Sequence, residues 1–154
     1  MIFIAPLTQK IYAQNTAGNI KAIHALFDEM NRHDTMAIAS FFDDSARLES
    51  PNWEGAEKGK QGVITVYSRY FKGTPDYSFT ITNIVAGNDA VVVEYTFGGT
   101  FSNPEPGTPN YMYNKKYVLK ASTRYTFKHN KITAAVSYFD QVAFLRQVGF
   151  FDQH

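Results

Sequence analysis

The stretch YVLKASTRYTFKHNKITAAVSYFD, residues 117–140, indicates the fold most directly. Apolar and polar residues alternate on either side of KHNK, and a period of two is typical of strands with one buried face. The segment Lys128 to Lys131 suits a tight turn, so the stretch is predicted to form a β-hairpin. The predicted apolar face of the first strand carries Tyr117, Leu119, Ala121, Thr123, Tyr125 and Phe127.

A second hairpin is predicted just upstream. The segments YSFTITNIV (77–85) and AVVVEYTFGGT (90–100) alternate in the same way about the turn residues GND. Their apolar positions are Tyr77, Phe79, Ile81, Val91, Val93, Tyr95 and Phe97. The opposite face is rich in Thr, Ser and Lys, and the Pro-rich stretch 102–110 is predicted to be a loop.

The first half of the chain shows helical spacing instead. One helix is predicted from a cap at Asn15 or Thr16 to about Arg32, because apolar residues recur every three or four positions. A short second helix should start at Asp34 or Thr35, and a third should span about 59–72, with a short strand near 47–50 between them. Helices followed by antiparallel strands predict the α+β class.

Composition and charge limit the function classes. The 154 residues suit one domain, predicted as an N-terminal arm 1–15 and a core of about 16–149. A net charge of +1 without a basic patch argues against nucleic-acid binding, and no segment is long and apolar enough for the membrane. With no cysteine and scattered histidines, we expect no metal and a cytoplasmic protein with a small-molecule ligand.

Asp140, at the end of the last predicted strand, allows two interpretations. If the turn sets a regular register, Asp140 and Tyr138 lie on the apolar face, where a desolvated carboxyl group can exchange protons and Tyr138 can donate a hydrogen bond. A one-residue bulge would reverse that orientation. Alternatively, Asp140 is the N-cap of a short helix in DQVAFLRQVG that stops at Gly149.

The order and spacing of several segments resemble a known family. The helix NIKAIHALFDEMNRHD, the Pro of ESP, the PD after the third helix, the GND turn, the GGT strand end and the Asp before LRQVG are similar to the SnoaL-like polyketide cyclases of the nuclear transport factor 2-like superfamily. The resemblance covers about residues 18–149. Those cyclases pair the Asp with a His on the preceding strand, whereas residues 116–128 contain no His.

That resemblance implies a cone-shaped α+β barrel (cystatin-like), with a strongly bent antiparallel sheet wrapped around the helices. It also implies a pocket open at one end and a homodimer packed through the sheet. Asp140 would transfer protons in an intramolecular aldol ring closure without cofactor or metal. Isomerases, dehydratases, epoxide hydrolases and simple ligand binders share this superfamily, so the reaction type stays open.

The predicted ligand is a small, mostly apolar, oxygenated molecule. The residues expected to bind it are Trp53, Tyr67, Tyr95 and Leu119, with Asp140 and Tyr138 as the catalytic pair. Glu49 and Glu54 are weaker candidates for a second carboxylate. The alternative function is a non-catalytic ligand-binding or dimeric scaffold domain, in which Asp140 only caps the last helix.

Overall fold

The computed structural model describes residues 7–51 and 56–152 of the chain. Within these ranges it contains four α-helices and a six-stranded sheet. The helices are α1 (Leu7–Arg32), α2 (Thr35–Ser40), α3 (Gly59–Gly73) and α4 (Gln141–Gln147). The strands are β1 (Phe42–Glu49), β2 (Glu57–Lys58), β3 (Ser78–Ala86), β4 (Ala90–Phe101), β5 (Lys115–Lys128) and β6 (Lys131–Phe139). In the part of the chain that is described, no helix is long and apolar enough to span a membrane.

The sheet confirms the predicted α+β class. Its strand order is β2-β1-β6-β5-β4-β3, with β1 and β6 parallel and the other neighbours antiparallel. Helix α1 packs on β3, while α2 and α3 pack on each other and on β1. Helices therefore cover one face of the sheet, and the buried core lies between them and that face.

The alternation on β3, β4 and β5 correctly predicted the inner face. Val91 pairs with Tyr125 and Phe97 with Leu119, and all four side chains are buried. Gly98 lets β4 lie against β5, since a Cβ there would be 2.0 Å from the carbonyl oxygen of Tyr117. The GGT motif therefore marks a point where the two backbones approach too closely for any side chain.

The first helix begins earlier than the sequence pattern predicted. Helix α1 starts at Leu7, so the predicted cap at Asn15 or Thr16 was wrong, and the predicted arm 1–15 overlaps the helix. Thr16 Oγ1 instead donates a hydrogen bond to the carbonyl oxygen of Gly87 in the β3–β4 turn (3.3 Å). The predicted start of α2 is confirmed, because Asp34 accepts hydrogen bonds from the backbone N–H groups of Met36 and Ala37.

The last strand carries a β-bulge that reverses its predicted orientation. Lys128 pairs with Lys131, as a two-residue turn requires, but Thr126 pairs with Ala134, so one residue on β6 is extra. Beyond the bulge, Ser137 and Phe139 face the helices, while Tyr138 faces outward. The prediction that Tyr138 and Asp140 share the buried face was therefore wrong, because one extra residue moves every following side chain of the strand to the opposite face of the sheet.

Candidate functional site

Asp140 lies at the start of α4 and is exposed to solvent. Its Oδ1 accepts a hydrogen bond from the backbone N–H of Ala143 at 2.9 Å, which is the geometry of a helix N-cap. Tyr138 pairs with Ser122 across the outer face, and 64% of its surface is exposed. The capping interpretation is confirmed. Catalysis by Asp140 and Tyr138 stays a prediction, and neither residue lines the cavities described below.

A cavity of about 250 Å³ lies between the end of α3, the inner face of β4–β6, α4 and the loop 102–110. We call it the outer chamber. Aromatic residues make up half of its lining, and they include Tyr77, Phe97, Phe139 and Phe144. Leu119, one of the predicted binding residues, also lines it. This combination of apolar walls and a few polar groups is typical of small-molecule sites.

A smaller cavity of about 60 Å³, the inner chamber, lies between α3, the end of β1 and the middle of the sheet. It shares four wall residues with the outer chamber: Tyr70, Tyr77, Phe97 and Phe139. Tyr67 and Tyr95, both predicted to bind ligand, line this inner chamber together with Thr123. The two chambers are therefore adjacent.

Buried hydroxyl groups form a network on the inner-chamber wall. Thr123 Oγ1 lies 3.0 Å from the Tyr95 hydroxyl and 2.9 Å from Ser137 Oγ. Tyr67 and Tyr125 lie on the same wall. The Tyr67 hydroxyl donates to the sulfur of Met30 at 3.8 Å. Thr123 is 1% exposed and is the centre of this network.

A second hydroxyl cluster lies on the outer-chamber wall. Tyr117 and Thr74 share a hydrogen bond of 3.0 Å, and the Tyr77 ring lies beside that of Tyr117, with ring centroids 6.3 Å apart. These three hydroxyl groups belong to residues that line the outer chamber, and each can donate and accept a hydrogen bond. We call them the outer trio. The outer trio therefore supplies hydrogen-bonding groups to an otherwise largely apolar wall.

Burial keeps the chamber tyrosines in their neutral form. Desolvation is the largest cause of a raised pKa at Tyr67, Tyr77, Tyr95, Tyr117 and Tyr125. The side chains of all five line one chamber or both. At neutral pH they are therefore phenols that donate and accept hydrogen bonds, and none of them is a phenolate base.

Two segments close the outer chamber. The loop 102–110 is fastened to α3 by an ion pair between Arg69 Nε and Glu105 Oε1 (2.7 Å). Helix α4 places Phe144 edge-on against Tyr117, with ring centroids 5.0 Å apart. Gln147 then holds α4 on the sheet through two hydrogen bonds to the backbone of Val118, at 2.9 and 3.0 Å. As the cap of this helix, Asp140 supports the chamber wall indirectly.

Of the predicted binding residues, Tyr67, Tyr95 and Leu119 lie on cavity walls, whereas Trp53 lies outside the described residues. Their role in binding stays a prediction. Glu49 lines the inner chamber and pairs with Arg47 at 3.2 Å, while Glu54 also lies outside the described residues. Within residues 7–51 and 56–152, no group of His, Asp and Glu side chains is arranged to hold a metal ion.

Sequence reasoning missed the hydroxyl groups of Thr123, Ser137, Tyr117 and Thr74 as site groups. Thr123 gave a signal, because it is a polar residue at the centre of an otherwise apolar face. Ser137 gave none, since only the bulge turns it inward opposite Thr123.

Comparison with known families supports the resemblance read from the sequence. The family model described as SnoaL-like domain matches residues 23–135, which is more than half of the chain. No curated protein matches this chain.

Solved structures of the same fold are numerous, at low sequence identity. A candidate SnoaL-like polyketide cyclase from Jannaschia sp. CCS1 is 20% identical, with a TM-score of 0.76 over 90% of this chain and 93% of that one. A protein from Catenulispora acidiphila with a ketosteroid isomerase-like fold, in complex with trimethylamine, is 17% identical, with a TM-score of 0.70 over 83% and 92%. TerC, co-crystallised with polyporic acid, is 20% identical, with a TM-score of 0.68 over 85% and 98%. At these identities the likeness shows the fold alone.

Proposed function

Because the chain belongs to the SnoaL-like domain family, we propose that it binds a small, mostly apolar molecule carrying at least one oxygen atom. The observation that carries this proposal is the outer trio, which places three hydroxyl groups among the aromatic rings that line the outer chamber. A ligand oxygen that hydrogen-bonds to the outer trio is held at a defined place, while the rings bury the rest of the ligand.

The size of the outer chamber sets the size of the ligand. Its volume of about 250 Å³ lies just below the range of about 300–1,000 Å³ that is common for drug-sized ligands. We therefore expect a compact molecule with one or two rings. The co-crystallisation of TerC with polyporic acid is in line with small-molecule binding in this fold.

The enzymatic form of the proposal is a cyclase- or isomerase-type proton transfer, with Asp140 as the acid or base. Neutral phenols on the chamber wall favour such chemistry, because they stabilise negative charge that develops on a ligand oxygen. The exposed capping position of Asp140 favours the binding function instead, since its carboxylate bonds the backbone of α4. We therefore propose ligand binding as the primary function and proton transfer by Asp140 on the bound ligand as the second candidate function.

The binding proposal is tested by filling the outer chamber. Leu119→Trp adds bulk inside the chamber, whereas Lys120→Trp adds the same side chain at the next residue, which is exposed on the other face of the sheet. With 2-tetralone as the probe in calorimetric titration, we expect Leu119→Trp to weaken binding by at least about tenfold, or about 1.4 kcal/mol, and Lys120→Trp to leave it unchanged. Equal affinities for both variants, with folding verified by circular dichroism, would refute the proposal.

We also infer a homodimer that forms through the outer face of the sheet. Val118 and Tyr138 are exposed on this face, at 65% and 64% of their surface. Glu94 and Lys120 place charges of both signs around them, on neighbouring strands. A twofold contact can bring such opposite charges together around an apolar centre.

A further inference from the structure

We propose that Phe139 determines how long a ligand the cavity accepts, because its ring stands between the outer chamber and the inner chamber. This inference rests on the proposed binding function and makes its ligand class more specific in length. Four aromatic residues line both chambers, and we call them the aromatic row: Tyr70, Tyr77, Phe97 and Phe139.

The rings of the aromatic row pack one against the next. The ring centroids of Tyr70 and Tyr77 are 6.0 Å apart, and the two rings are parallel to within 2°. The centroid of Tyr77 is 5.7 Å from that of Phe97, which in turn lies 5.5 Å from that of Phe139. These distances are typical of packed aromatic pairs. The row therefore extends without a gap from α3, over the inner face of the sheet, to the last residue of β6.

The order of residues along two elements indicates that the row is a partition and not a common side wall. On each element, the residue of the row lies between one that lines only the outer chamber and one that lines only the inner chamber. These sets are Gly73, Tyr70 and Tyr67 on α3, and Phe101, Phe97 and Tyr95 on β4. The chambers are therefore consecutive parts of one cavity, and the row stands where they meet.

Phe139 is the member of the row that can be shortened with the least disturbance of the core. Tyr77 and Phe97 are buried, whereas Phe139 is half-buried. In the described part of the chain, the ring of Phe139 packs edge-on against that of Phe97 and against no other ring. Tyr70, at the other end of the row, packs against Tyr67 as well as Tyr77. Replacing Phe139 therefore opens the partition at its end and leaves the rings at its centre in place.

The partition limits the ligand to the outer chamber. With Phe139 in place, a ligand fills the chamber of about 250 Å³ and ends against the row, and the chamber of about 60 Å³ lies behind it. Without that ring, the two chambers and the space of the ring form one cavity. Its volume reaches the range of about 300–1,000 Å³ that is common for drug-sized ligands. Phe139 is therefore a specificity-determining residue that excludes longer ligands.

A series of unbranched ketones from 2-pentanone to 2-undecanone measures the length that the cavity accepts. By calorimetric titration, we expect the affinity of the wild type to rise about fourfold with each methylene and then to level off where the chain meets the aromatic row. In Phe139→Ala the rise should continue for about two more methylenes, so that the longest ketones bind about tenfold more tightly than to the wild type.

Two further variants control for folding and for the general loss of a ring. Phe139→Leu keeps an apolar side chain but fills less space, so it should extend the rise by about one methylene with less effect on stability. Phe41→Ala removes a half-buried ring that lines neither chamber. Its affinities should level off at the same chain length as those of the wild type.

The outcomes separate this inference from the proposed function. A wild-type affinity that rises steadily up to 2-undecanone overturns the inference, and that measurement needs no variant to fold. The same limiting chain length in the wild type and in the folded Phe139 variants also overturns it. If 2-tetralone and the whole ketone series fail to bind the wild type, the proposed function fails, and this inference fails with it.

Discussion

Replacing Asp140 distinguishes its role as a helix cap from its predicted role in proton transfer. Asp140→Ala removes the oxygen that accepts the backbone N–H of Ala143. Asp140→Asn keeps an acceptor oxygen at that place but removes the charge and the ability to exchange protons. Asp34→Ala is the matched control, because Asp34 caps α2 in the same way and lines neither chamber.

The expected magnitudes follow from the cap geometry. Loss of an N-cap side chain costs about 1 kcal/mol, and loss of a negative charge at a helix N-terminus costs about 0.3–1 kcal/mol more. We therefore expect Asp140→Ala to lower the free energy of unfolding by about 1–2 kcal/mol and Asp140→Asn by less than about 1 kcal/mol. For a chain of this size, about 1 kcal/mol corresponds to about 2–4 °C in Tm.

Urea unfolding and 2-tetralone titration of the wild type and the three variants provide the assay. The capping interpretation requires Asp140→Ala to destabilise about as much as Asp34→Ala, while 2-tetralone affinity changes less than about twofold in both Asp140 variants. If Asp140→Ala is as stable as the wild type, the capping argument is wrong. If a ketone is turned over by the wild type and by Asp34→Ala but not by Asp140→Asn, proton transfer by Asp140 is established.

Three further predictions concern the sheet and its aromatic core. Val118→Lys should convert the proposed dimer to a monomer, measured by light scattering after size-exclusion chromatography, and a monomeric wild type would contradict the dimer. Gly98→Ala should lower the free energy of unfolding by about 3 kcal/mol or more, because the new Cβ would lie 2.0 Å from a carbonyl oxygen. Gly18→Ala is the control: the space around Gly18 in α1 is open, so this change should raise the free energy of unfolding by about 0.5–1 kcal/mol. Urea unfolding measures both. Stability should fall as the pH rises above about 10, because the unfolded chain ionises its tyrosines there while burial raises the pKa of those in the fold. Tyrosinate absorbance, followed as the pH rises, should show a group of tyrosines that ionise only when the protein unfolds. Ionisation of this group in the folded protein would refute the burial argument. The group consists of Tyr67, Tyr77, Tyr95, Tyr117 and Tyr125.

The inner face of three strands could be read from the sequence because it depends on local alternation. Side chains on β3, β4 and β5 point to alternate faces, so the apolar residues identify the buried face with no knowledge of neighbouring strands. The cap at Asp34 was also predictable, since a short polar side chain at the start of a helix bonds the N–H groups within the next turn. The predicted positions of Tyr67, Tyr95 and Leu119 on cavity walls follow from the same periodicities.

Tertiary pairing alone decided which residues complete the site. The bulge in β6 forms where this strand is paired with β5 on one side and with β1 in parallel on the other, and both pairings shift register there. That shift turns Ser137 toward Thr123 and moves Tyr138 and Asp140 out of the core. The sequence determines that side chains alternate along a strand. Which of the two alternating sets faces the core depends on hydrogen bonds to two partner strands that are distant in the chain, and no local pattern contains that information.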